Sequence, residues 1–137
     1  MNLTHILRAA VLGLFLLGGC GGGTVQFTGS QRVVGADGEA RWKEIAGGAI
    51  LVEVEMTNLP PPSRLGQGLT TYVVWFAPAN RPASVAGTLE YDEDDREGKM
   101  SATNETKTFE VIVSAERNAQ VSVPSEQVVA RFRVDAR

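Results

Sequence analysis

Histidine and cysteine are almost missing from this chain, since its 137 residues hold one of each, His5 and Cys20. Beyond residue 20 there is neither. That region therefore offers no Ser-His-Asp or Cys-His nucleophile arrangement, no His/Cys zinc site and no disulfide. Helical periodicity is missing as well. After residue 19 no stretch of ten residues repeats its apolar positions at the i, i+3, i+4, i+7 spacing of an amphipathic helix. Basic excess is absent too: the formal net charge is −3, which argues against nucleic acid and against adhesion driven by an anionic surface. Long apolar runs are confined to one place, the first 19 residues.

Those 19 residues have three parts. Met1 to Arg8 is short, with Arg8 its only fixed positive charge, and Ala9 to Leu17 is uncharged and rich in leucine. Gly18 and Gly19 then precede Cys20. Crossing a bilayer takes ~20 apolar residues for ~30 Å of hydrocarbon, so this core is shorter than a retained transmembrane anchor needs and reads as a secretory signal helix. Leu17-Gly18-Gly19-Cys20 resembles the lipobox of bacterial lipoproteins, in which a large aliphatic and two small residues precede a cysteine. The resemblance implies that the Cys20 thiol takes a diacylglyceryl group and becomes the acylated first residue of the mature chain. Each buried CH₂ of an acyl chain contributes ~0.8 kcal/mol, so two or more chains hold stably. Gly21 rather than Asp follows the cysteine. By resemblance to enterobacterial sorting, that implies an outer-membrane destination.

Three segments follow from this reading: a signal peptide (1–19), a lipidated cysteine with a glycine linker (20–23), and a domain over 24–137. Processing would leave 118 of the 137 residues, enough for one real core, with 12 basic and 16 acidic side chains. Within the domain the patterning is β. Ile50, Val52, Val54 and Met56 alternate with Glu53, Glu55 and Thr57, the period of a strand with one buried and one wet face. Pro60-Pro61-Pro62 ends that strand. Tyr72-Val73-Val74-Trp75-Phe76 is apolar without alternation and predicts a central strand covered on both faces. Further strands are expected over 24–28, 84–91, 99–103, 108–115 and 127–134. A hairpin is expected to join 31–34 to 41–45 through Gly35-Ala36-Asp37-Gly38, whose Asp-Gly is a turn signal. About seven short strands in such a length predict an all-β, immunoglobulin-like sandwich.

Residues 70–131 contain, in order, Tyr72-Val73-Val74-Trp75, Gly87-Thr88-Leu89, Val111-Ile112-Val113-Ser114-Ala115-Glu116 and Pro124-Ser125. This succession resembles the extracytoplasmic C-terminal domain of anti-sigma-K-type factors. It departs where that family has Gly-Gly after the glutamate, since Arg117-Asn118-Ala119 stands here. The family's cytoplasmic sigma-binding helices and its transmembrane helix have no counterpart. The resemblance therefore implies a fold and not a regulatory role.

Candidate sites are few. Cys20 is the lipidation site. Glu53 and Glu55 share one strand face, and with Tyr72 they form the candidate interaction patch; general acid/base work by the two glutamates is weighed against a plainly solvated sheet face, which the pattern favours. Trp75 falls on the opposite strand face from Tyr72 and is expected in the core. The acidic stretch Asp92-Glu93-Asp94-Asp95-Arg96-Glu97 lacks the spaced ligand pattern of a Ca²⁺ loop and reads as a solvated hairpin tip. No catalytic residue, metal or cofactor is implied. The expectation is a non-enzymatic envelope lipoprotein, tethered by its acyl chains and serving a protein partner. The alternative is a surface binding protein for a small molecule or glycan.

Overall fold

The alternation over residues 50–57 becomes a strand whose inner side chains are almost entirely shielded. The computed structural model describes residues 22–137. In it, β3 (Ile50–Thr57) buries Ile50, Val52, Val54 and Met56 and exposes Glu53 and Glu55. It lies at the centre of a five-stranded antiparallel sheet with β1 (Gly23–Thr28), β2 (Asp37–Glu44), β6 (Glu90–Asp92) and β7 (Glu97–Asn104), in the order β1-β2-β3-β7-β6. A second sheet has the order β5-β4-β8-β9, from β4 (Thr71–Ala77), β5 (Ser84–Thr88), β8 (Thr108–Glu116) and β9 (Val128–Asp135). The protein is an all-β sandwich, with nine strands among the described residues where about seven were expected. The signal helix and Cys20 lie outside the described residues.

The core fills the space between the sheets. Inward residues of β3 meet Tyr72, Val74 and Phe76 of β4 and Phe109, Val111 and Val113 of β8. Each such side chain removed from water contributes ~1.5–3 kcal/mol. One side is closed by Phe27 stacked on Phe132, ring centroids 4.4 Å apart. The Ser30 N–H there donates to the Val129 carbonyl at 2.7 Å and ties the first sheet to the second. Phe76 and Phe109 meet deeper in, at 4.9 Å.

Local expectations needed correction in three places. The linker is shorter than predicted, because Gly23 already pairs with Trp42. A Cβ at Gly23 would collide with the Trp42 indole, so the residue that looked like flexible joint is a packing requirement. The hairpin through Gly35 to Gly38 does not form. Gln31–Val33 is a 3-10 turn, and Asp37-Gly38 opens β2, where Gly38 leaves room for the Phe27 ring. The single strand expected over 84–91 is two strands. At Leu89 the chain passes from one sheet to the other, its N–H donating to the Tyr72 carbonyl at 3.0 Å.

Candidate functional site

Alternation that buries one face of β2, β3 and β7 aims their other side chains outward, and register then sets who stands beside whom. Glu39 lies opposite Glu55, Glu55 opposite Lys99, and Lys99 opposite Glu90. That forms one transverse row of charges across four strands. The next row pairs Arg41 with Glu53 and Glu53 with Ser101. Directly opposed side chains on a sheet stand ~4.5–5.5 Å apart at Cβ, so each glutamate of β3 has a basic neighbour within one row. Arg41 forms an ion pair with Glu39. Glu53 and Glu55 are exposed.

A cleft of about 450 Å³ lies over these rows and ends against Gly87 and Thr88 of the second sheet, with Val54 and Met100 contributing its apolar part. Gly87 matters locally, since a Cβ there would stand 3.0 Å from the end of Met100. A neighbouring depression shares Glu39, Arg41 and Glu55 with the cleft and extends it toward Gln26, Asp37 and Thr57. Four carboxylates, Glu39, Glu53, Glu55 and Glu90, therefore line one cleft with Arg41 and Lys99. Such a surface is wet and charged, suited to a partner bearing amines or guanidiniums. Among the described residues, no three acidic side chains converge closely enough to hold a metal ion. The acidic stretch forms the β6–β7 turn, in which Asp92 Oδ1 accepts from the Asp94 and Asp95 N–H groups at 3.0 and 3.2 Å.

Tyr72 does not join the two glutamates. It is fully buried between the sheets, and its hydroxyl donates to the Pro60 carbonyl at 2.5 Å. Tyr91 does the same to the Leu59 carbonyl, and the two rings meet edge to face at 5.6 Å. The patch of Glu53, Glu55 and Tyr72 is thus reduced to its glutamates. A phenol is buried readily once its O–H has an acceptor, and the proline run, which has carbonyls to offer but no N–H, supplies one. Burial pushes the Tyr72 phenol above its ordinary value of 10.0; Tyr91 adds to the rise and Arg96 opposes it.

Trp75, on the other face of β4, is equally hidden, but outside the main core. With Val73 and Ile112 it forms a small second cluster, covered by Ala77, Ala83, Val121 and Val128. Sequence reading missed the polar chain that fixes this cover. The Trp75 indole Nε1–H donates to Ser114 Oγ at 2.8 Å, and the Ser114 hydroxyl donates to Glu116 Oε1 at 2.8 Å. The same Glu116 oxygen accepts from the Ser125 backbone N–H at 2.7 Å. Ser114 and Glu116 are buried, 0% and 4% exposed, on the face of β8 shared with Ile112. The signal was present as Ile112, Ser114 and Glu116 at period two beneath Trp75. A strand covered on both faces requires something over its neighbour's outer face as well.

No protein-family model, curated protein or solved structure matches the chain.

Proposed function

We propose that the chain is a bacterial envelope lipoprotein, held at the outer membrane by acyl chains on Cys20, whose sandwich acts as a non-enzymatic interaction module of an envelope assembly. The observation that carries this reading is Leu17-Gly18-Gly19-Cys20, separated by only Gly21 and Gly22 from Gly23, the first residue of β1. A partner would meet the charged outer face of the first sheet, where Glu53 and Glu55 offer carboxylates to basic side chains. Complementary charge of this kind sets orientation and on-rate more than raw affinity. The net acidity gives this module no attraction to nucleic acid. A second reading, a binding protein for a small molecule or glycan, is favoured by one observation. The cleft's 450 Å³ falls within the ~300–1,000 Å³ range of ligand pockets.

Gentle crosslinking in envelopes followed by purification separates the two. A discrete protein partner is expected on the wild type, lost or reduced several-fold in a Glu53→Lys, Glu55→Lys double variant whose melting point is unchanged. An uncrosslinked protein whose melting point rises with one member of a glycan panel, as ligand binding to a folded state requires, would favour the second reading.

A further inference from the structure

The strand directions place the chain's loops at two opposite poles of the sandwich. β1 starts at Gly23 beside Trp42, near the end of β2. Register then gathers at that pole the 45–49 hairpin, the 105–107 connection and the 78–83 turn, since Ile50 pairs with Asn104, Thr108 with Asp135 and Phe76 with Ser84. Two contacts hold this end together: Lys107 Nζ to Glu44 Oε2 at 3.2 Å, and the Ala136 N–H to the Lys107 carbonyl at 2.7 Å. Loops 29–36, 58–70, 93–96 and 117–127 belong to the other pole, linked by the Leu59 N–H to the Arg96 carbonyl and the Thr70 N–H to the Glu116 carbonyl. Eight residues of β3 separate the poles, roughly 25 Å at strand rise.

Covalent geometry chooses the pole that faces a membrane, and the acidity of the β6–β7 turn agrees with it. From Cys20 to Gly23 there are three residue steps, a reach of at most about 11 Å. This reach brings the Gly23 end to the headgroups and leaves the far pole beyond them. The near-pole hairpin Ile45-Ala46-Gly47-Gly48-Ala49 has no charge, the 78–83 turn has only Arg81, and the 105–107 connection has Glu105 and Lys107, which offset each other. The far pole carries Asp92, Glu93, Asp94, Asp95 and Glu97 around Arg96 in one turn, which anionic headgroups repel, while its other loops bring Arg32, Arg64, Arg117 and Glu126.

We propose that the pole formed by 45–49, 78–83 and 105–107 rests on the phospholipid headgroups of the anchoring bilayer, while the acidic turn points away from them. The glutamate face then stands upright and open to a partner beside the membrane. This orientation rests on the anchoring at Cys20.

Once Cys20 is acylated, a single introduced cysteine is the only thiol in the chain, so a fluorophore can be placed at either pole. Ala46→Cys and Asp94→Cys put it on exposed tips at opposite ends, with Arg81→Cys and Val34→Cys as second sites at the same poles. The acylated mature chain is reconstituted in phosphatidylcholine vesicles containing phosphatidylglycerol and a headgroup spin-labelled lipid. Quenching is expected to be several-fold stronger at residues 46 and 81 than at 34 and 94. Protein that floats with the vesicles but quenches equally at both poles, or more strongly at 94, overturns the orientation alone. Protein that does not float overturns the anchor, and the orientation with it.

Discussion

A buried phenol needs an acceptor, and Tyr72 finds one in a carbonyl of the proline run, which otherwise has no N–H with which to bond. The rise of its proton affinity has a definite consequence for pH. The folded value lies above the unfolded 10.0, so this contribution to stability is fully present below about pH 10 and declines as pH climbs toward the folded value. Wild type should therefore be more stable than Tyr72→Phe at pH 8, by about 1 kcal/mol for the lost hydrogen bond. The gap between their melting points should narrow above pH 10; a constant gap up to pH 11 would contradict the burial argument. Trp75 makes a different claim. Its deletion to alanine removes a filled volume and strands the Ser114–Glu116 pair, so Trp75→Ala should cost about 3–5 kcal/mol, much of the ~5–15 kcal/mol of a typical domain. Urea titration measures it; an unchanged midpoint would mean that the 117–127 cover does not close over β4. That Tyr72 and Trp75 lie on opposite faces was legible from parity. The unbroken apolar run also predicted cover on both faces, at odds with placing Tyr72 in an open patch; what covers each face was not legible, because parity says nothing of it.

β3 and β4 were legible as elements, one from its alternation and the other from its lack of any. Elements fixed by distant contacts were not. Asp37-Gly38 resembled a hairpin turn, yet the glycine is needed because Phe27, eleven residues away on β1, lies across it. Leu89 resembled the interior of a strand, and nothing in a hydrophobic pattern marks where a chain changes sheets. The acidic hairpin tip was read correctly as a turn, but its price went unseen. Arg96 sits at φ 55, a left-handed conformation that costs a side-chain-bearing residue about 1 kcal/mol. Arg96→Gly should accordingly melt a few degrees above Arg96→Ala, the comparison that cancels loss of the guanidinium. Equal melting points, or a lower one for glycine, would mean that the turn relaxes out of this conformation at no cost.

At the scale of the whole molecule, the absence of helical period and the number of alternating segments pointed to a sandwich, and the two sheets of five and four strands are one. The glutamate face was legible in part. Glu53 and Glu55 could be placed on one surface from β3 alone, while Glu39, Glu90 and Lys99 join them only through pairings between distant strands. Among the described residues, no helix is long and apolar enough to cross a membrane. The proposed attachment is the one through Cys20. Metabolic labelling with a fatty-acid analogue tests it most directly. The wild-type chain should carry the label and fractionate with membranes, and Cys20→Ser should carry none and remain soluble or unprocessed. Label retained on Cys20→Ser, or absent from the wild type, would contradict the account.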